Sequence, residues 1–175
     1  ASNLSGTIND IQSIVEIAHR FEAEVVVDAV HYAPHSLIDV NKIGCDFLLC
    51  SPYKFFGPHQ GLLWGKRGRM EELPVAKLRV ATDKLPFRWM TGTQSHEGMA
   101  GTRAAIDHIA WIGRESSGNF SLPRREAIIS AYSAIEKYEH SLCLRLLEGL
   151  SAIEGLKVWG ITDPGRIAER SPTVS

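Results

Sequence analysis

No two cysteines in this chain have the spacing of a zinc site, and the three present, Cys45, Cys50 and Cys143, are an odd number that cannot all be bridged. Reduced thiols in a cytoplasmic protein are the expectation. The seven histidines are scattered, with no HExxH or comparable pattern, so no metal is expected. Long apolar runs are missing too, every stretch falling well short of the roughly 18–20 residues that span a bilayer. The polar opening Ala1-Ser2-Asn3 has none of the basic and apolar regions of a secretory signal. Neither charge is in excess: 19 Lys and Arg stand against 20 Asp and Glu. That balance gives no footing to a nucleic-acid or membrane-surface partner. The one basic cluster, Lys66, Arg67 and Arg69, is short and reads as a solvated turn. A Gly-rich G-x-G-x-x-G turn and a P-loop are both absent, which argues against a nucleotide-binding α/β domain.

What is present suits a globular protein with a real core. The chain has 175 residues, 44% hydrophobic and 22% charged, enough for one domain or for one domain and part of another. It starts without Met inside what reads as a functional loop, and it stops at Pro172-Thr173-Val174-Ser175, which reads as the start of a strand. A piece of a longer protein is the expectation.

Apolar residues Ile11, Ile14, Val15, Ala18 and Phe21 predict an amphipathic helix over 10–23, capped by Asn9 or Asp10. Val25-Val26-Val27 then reads as a short strand buried on both faces, ending at Asp28. Residues 36–44 have room for a helical turn. Phe47-Leu48-Leu49-Cys50 reads as a second buried strand, leading into Ser51-Pro52-Tyr53-Lys54, and Gly61-Leu62-Leu63-Trp64-Gly65 as a third. Residues 74–86 read as an irregular connection and 95–113 as a helix. Pro123 suits the first position of a long helix running to about Ile153, with Gly155 ending it and Leu156-Lys157-Val158-Trp159 opening another strand. Helix, strand, crossover and strand make an α/β fold with a mostly parallel sheet. In such sheets ligands sit beyond the carboxyl ends of strands, where Asp28 and Lys54 both fall.

Those two residue types carry chemistry. A lysine set among Ser51, Tyr53, Phe55, Phe56 and Gly57 is expected to be partly desolvated, which favours the free amine and makes it a nucleophile toward carbonyls. A carboxylate at a strand end can hold the protonated ring nitrogen of a pyridine cofactor. His31, three residues on, is placed to stack on such a ring or bond to it. Taken singly, the lysine also fits a surface residue, Asp28 a cap on the following turn, and His31 a structural hydrogen-bonder.

Together they are more specific. Ser2-Asn3-Leu4-Ser5-Gly6-Thr7, Val27-Asp28-Ala29-Val30-His31, the run from Asp46 through Ser51 and Lys54 to Gly57-Pro58, and Thr91-Gly92-Thr93 stand in order along the chain. They resemble the S-N-x-x-G-T, V-D-x-x-Q/H and D-F-x-x-x-S-x-H-K-x-x-G-P segments, and the later T-G-T, of the class V aminotransferase and cysteine desulfurase family of fold-type I enzymes. The resemblance implies part of the large domain of the PLP-dependent transferase (aspartate aminotransferase-like) fold over 1–120, a long connecting helix over 121–154, and the start of a smaller α+β C-terminal domain over 155–175. It implies pyridoxal 5'-phosphate (PLP) as cofactor, a small-molecule amino-acid substrate and a homodimer. Lys54 would carry the cofactor as a Schiff base and move the substrate's proton. Asp28 would hold the pyridine nitrogen, His31 would lie near the phenolic oxygen or ring, and Asn3 would touch the cofactor or substrate edge. Ser51 would donate to the phosphate, and Thr93 would reach the phosphate of a second subunit. Desulfurase-like lyase or sulfurtransferase chemistry leads, with a class V aminotransferase, an epimerase or a non-catalytic protein of the same fold as alternatives. One departure matters: the family's His before the lysine is here Tyr53. Cys45, Cys50 and Cys143 read as core thiols, not as the late-loop sulfur acceptor, and Arg170 as a structural or surface residue.

Overall fold

A computed structural model describes residues 1–90 and 92–175. The first helix, α1 (Ile11–Arg20), starts where expected, and Asp10 is its cap, accepting from the Ser13 N–H at 3.1 Å. Strand β1 (Val26–Asp28) follows, then the short helix α2 (Val40–Ile43), capped by Asp39 and closed by Gly44 at φ 77°. Strand β2 (Phe47–Cys50) leads into a 3-10 turn, Pro52–Phe55, and strand β3 (Leu62–Gly65) returns from it. Helix α3 (Arg67–Glu72) replaces the expected solvated turn, and its arginines are exposed and paired with Glu71, Glu72 and Glu24. Residues 74–86 are irregular, as the prolines suggested. Two long helices then pack together, α4 (His96–Ser117), capped by Ser95, and α5 (Arg124–Ser151). Pro123 sits at the cap of α5, one residue before its first turn.

The sheet corrects two expectations. Its order is β1-β2-β3, with β1 and β2 parallel but β3 antiparallel to β2, so it is mixed where a mostly parallel sheet was expected. Residues 51–61, which join β2 to β3, hold only the 3-10 turn, too little for a parallel crossover, so the chain must double back. Nor is β1 buried on both faces. Val27 packs with Val15, Ala29, Cys45 and Leu48, whereas Val26 is 59% exposed. Leu49 and Leu63, on the same face by register, are also exposed, whereas Phe47 on that face is buried beside Gly65, where Met70 of α3 packs. A third correction lies after α5. Residues 156–159 form no strand, since their one backbone bond to another segment, from the Trp159 N–H to Ser175 O at 2.9 Å, is no ladder.

A carboxylate holds the sheet to its surroundings. Asp46, 3% exposed, precedes β2 and accepts from the Val25 N–H at 2.8 Å. Its oxygens also meet His19 Nε2 of α1 and Lys66 Nζ beyond β3, each at 2.9 Å, and Lys66 donates in addition to Gly44 O. Burial alone would raise this carboxyl's pKa. The bonds from His19, Val25 and Lys66 overcome it and hold Asp46 well below the usual carboxylate range.

The second core lies between the sheet and the helix pair: Cys50, Phe55, Ile109 and Ala131 are buried there with Ala33. Tyr132 on α5 donates to Ala33 O at 2.7 Å, and burial pushes its phenol up to about 12. Helices α4 and α5 cross at Gly113, where a Cβ would stand 1.8 Å from the Ala127 carbonyl oxygen. No rotamer relieves a clash with backbone.

Two stability outcomes are expected. Gly113→Ala, although it gains helix propensity, should cost about 3 kcal/mol, the upper end of core overpacking, read from the urea unfolding midpoint. Asp46→Asn should cost about 2–3 kcal/mol, a figure discounted for the partial exposure of His19 and Lys66. Because the folded pKa of Asp46 is depressed, its stabilisation is present above the ordinary Asp pKa of about 3.9 and is lost as pH falls toward the folded value. Acid unfolding of Asp46→Asn should therefore show a shallower loss of stability below about pH 4, and an unchanged acid limb would contradict this account.

Candidate functional site

Parallel pairing brings the carboxyl ends of β1 and β2 to one edge. Asp28 lies opposite Leu49, and the Ala29 N–H donates to Leu49 O at 2.8 Å. Both chains then turn away from the sheet, and the turns carry the candidate residues.

After β1, one Asp28 oxygen accepts from the Val30 N–H at 2.9 Å, the capping role its residue type allows on its own. The other oxygen has no hydrogen bond among the described residues, and the side chain is exposed. The turn delivers His31, whose Nε2 stands 3.1 Å from Ser171 Oγ and 2.6 Å from Thr173 Oγ1. Burial lowers the His31 pKa, and the charges of His35 and Lys54 add to the effect, so the neutral ring is favoured. His35 meets the His31 ring edge-on at 5.4 Å and is itself held by Glu139 of α5 at 3.0 Å.

After β2, the 3-10 turn decides which side chains face inward. Residues three apart are eclipsed in such a turn, so Pro52 and Phe55 go together into the core while Tyr53 and Lys54 face out. Lys54 is thus more exposed than its apolar neighbours suggested. Its ammonium makes no hydrogen bond or ion pair among the described residues and stands 5.5 Å from the Tyr53 ring centroid. The Ser51 hydroxyl, at the head of the turn, makes no capping bond. Beyond the turn, Tyr53 stacks on His59 at 4.9 Å, a partner the sequence reading missed. Pro58 and Gln60 rest on Gly101 and Gly98 of α4.

Asn3 reaches this region on a closed loop. The Ser2 N–H donates to Thr7 O at 2.8 Å, and Ser2 Oγ takes the N–H groups of Leu4 and Ser5, leaving Asn3 exposed at the tip. Gly6, at φ 72°, lies so near Ser171 and Thr173 that a Cβ would stand 2.7 Å from Ser171 O. Arg170 is 1% exposed and is neither a surface residue nor one that reaches toward a substrate. Its guanidinium is spent on the carbonyls of Ser5, Ile161, Ser171 and Thr173. Residues 170–173 were not assigned to the site from sequence. They close on it across more than a hundred residues of chain, and no local pattern reports such a contact.

Thr93 stands apart, exposed and two residues before the Ser95 cap, with no hydrogen bond to the group around Lys54. Thr91 of the same motif lies outside the described residues. Asp28, His31, Ser51 and Lys54 thus collect at one edge, with Asn3 joined to them through the 171–173 segment and Thr93 separate. The edge offers an acceptor oxygen, an amine and a hydroxyl, each without a hydrogen bond among the described residues. That donor set fits a ligand bearing a protonated ring nitrogen, a carbonyl carbon and an anionic group.

Comparison with known proteins shows which family the chain is similar to. A probable cysteine desulfurase of Halalkalibacterium halodurans is 35% identical over 171 residues, 91% of this chain and 38% of that protein. An aminotransferase-like protein of Gibberella zeae is 34% identical over 176 residues, covering 99% of this chain and 40% of that protein. Among solved structures, the apo cysteine desulfurase of Thermococcus onnurineus NA1 superposes with a TM-score of 0.75 at 26% identity, covering 99% of this chain and 41% of that one. The chain therefore spans about two fifths of the relatives it matches. The family model described as Aminotransferase class-V matches residues 1–171, and the chain belongs to that family.

Proposed function

We propose that the protein containing this chain is a PLP-dependent enzyme acting on an amino acid, a cysteine desulfurase-like lyase in which Lys54 carries the cofactor. The observation that carries this reading is the unpaired Lys54 amine just past β2, beside the unpaired Asp28 oxygen at the end of its parallel neighbour β1. When bound, PLP supplies an electron sink for the carbanion left on the substrate. Asp28 would keep the ring nitrogen protonated, and Ser51 would donate its hydroxyl to the phosphate. Lys54 Nζ would hold the cofactor and, as a free amine, would move the substrate's α-proton. His31, neutral through burial, would accept a hydrogen bond or a proton at the ring's polar edge, and Asn3 would contact the cofactor or substrate side.

The relatives named as cysteine desulfurases support cysteine as the substrate. An aminotransferase reading draws on the Gibberella zeae relative and uses the same lysine and aspartate. We read 1–120 as part of the large domain, 121–154 as the connecting helix and 155–175 as the start of a smaller domain. We also read the active form as a cytoplasmic homodimer. Exposed Phe56 and Trp111, joined through His108 in an aromatic row beside α4, would meet the second copy, and Thr93 would reach its phosphate. Among the described residues no helix is long and apolar enough to cross a membrane.

Borohydride reduction of the PLP-saturated full protein, followed by peptide mass mapping, should place a pyridoxyl group on Lys54 and lose it in Lys54→Ala. No adduct, with no visible absorbance beforehand, would leave a fold kept for a non-catalytic purpose. The thiols of this chain should not take the sulfur. Cys45, Cys50 and Cys143 are all buried, and burial pushes each thiol up. Iodoacetamide at pH 7.5 should leave all three unmodified in the native protein and alkylate them in urea, and a persulfide on any of them during turnover would overturn this.

A further inference from the structure

Arg170 is the largest side chain that the fold buries almost completely, at 1% exposed, and among the described residues its guanidinium has no ion pair. A charge out of water is costly unless hydrogen bonds or an opposite charge compensate it. Here backbone carbonyls alone do so. Nε donates to Ser171 O at 3.3 Å, Nη1 to Ile161 O, and Nη2 to Thr173 O at 2.5 Å and, at a longer 3.5 Å, to Ser5 O. An N–H can only give and a carbonyl can only take, so the direction of each bond is fixed.

The four carbonyls belong to three stretches of chain, and two of these carry or touch site residues. Ser5 lies in the closed loop that has exposed Asn3 at its tip. Ser171 and Thr173 meet His31 Nε2 at 3.1 and 2.6 Å. The third stretch, at Ile161, follows Gly160, where a Cβ would stand 2.6 Å from Ser5 O, so it closes against the same loop. Backbone bonds run alongside, from the Ile8 N–H to Glu169 O at 2.9 Å and from the Ser171 N–H to Gly6 O at 2.8 Å. They lay the two ends of the chain side by side, and the guanidinium ties both to 161.

We propose that Arg170 is a positioning residue of the site: its guanidinium clasps the Asn3 loop to the 171–173 segment and so presents Asn3 and His31 together. The proposal rests on the reading of those two residues as part of a PLP site. Shape matters to the clasp as well as charge. A planar guanidinium carries five donors in a fixed fork, whereas a lysine ammonium carries three on one atom and cannot reach carbonyls spread around the whole group.

Arg170→Lys and Arg170→Ala in the full protein test it. Arg170→Lys should unfold cooperatively yet bind PLP about tenfold more weakly, the scale of a small misplacement at a site. In Arg170→Ala, millimolar guanidinium should restore PLP binding and equimolar methylammonium should not, because only the planar ion reaches the carbonyls. The His31 ring gives a second readout that needs no cofactor. Burial lowers its pKa, so loss of the 171–173 cover should raise it toward the ordinary value of about 6.5, followed by proton NMR on a signal assigned by its absence in His31→Gln. His35, held by Glu139, and Lys54 face the same ring and are left in place by both substitutions. An unmoved His31 titration in Arg170→Lys would overturn the proposal whatever the PLP affinity. Failure of both variants to fold even with guanidinium present would overturn it too, since Arg170 would then serve the fold as a whole. A wild type that takes no pyridoxyl group on Lys54 would sink the PLP reading, while a raised His31 pKa in the variants would still uphold the clasp.

Discussion

The buried Asp46 carboxylate is the constraint on which the rest of the arrangement hangs. It sits in the loop before β2 and is bonded at once to α1, to the residue before β1 and to the lysine after β3. Because β1 begins one residue after Val25, that N–H bond sets the parallel register, with Val26 opposite Phe47. Because Lys66 follows β3, its grip sets the antiparallel register too, with Gly65 opposite Phe47. A slip of one residue in either pairing would turn core side chains outward and move Asp28 or Lys54 to the wrong face. The carboxylate sits at one end of β2 and the chemistry at the other, yet the first determines where the second falls.

The register explains why much of the site was legible from residues alone. Strands marked by Val25-Val26-Val27 and Phe47-Leu48-Leu49-Cys50 could be read because short apolar runs between polar turns leave few other structures. Once both were strands in one α/β unit, their carboxyl ends had to share an edge, and Asp28 and Lys54 with them. The helices were largely plain too, since Asp10 caps α1 as expected, although α4 runs past Gly113 to Ser117. The family's motif order carried the rest of the assignment.

What stayed hidden follows one physical rule: contacts distant in sequence leave no local trace. The direction of β3 depended on whether residues 51–61 formed a crossover, and a run containing Gly57, Pro58 and Gly61 decides that only weakly. The exposure of Lys54 depended on a 3-10 turn, whose three-residue repeat sends Pro52 and Phe55 inward; an average over its neighbours predicts the opposite. Arg170 read as either a structural or a surface residue, because arginines are usually exposed. Only the fold shows that four carbonyls converge on it. Val26 read as buried because β-branched runs usually are, yet it is exposed, as Leu49 and Leu63 on the same face are.

The departure at Tyr53 then acquires a meaning. A phenol is a poor base near neutrality, so the residue before the lysine cannot take over the proton work of an imidazole. In this chain it stacks on His59 and faces the Lys54 ammonium as an aromatic surface instead. An imidazole is nevertheless present on the neighbouring turn, at His31, where the family admits either Gln or His. Burial keeps that ring in its neutral, proton-accepting form, and the hydroxyls from 171 and 173 fix its geometry. A glutamine at 31 could only orient a ligand, whereas a histidine there can also hold a proton. The pairing of Tyr at 53 with His at 31 therefore moves the site's imidazole from the lysine's turn to the aspartate's, while the carboxyl-edge geometry that both turns depend on stays as it is.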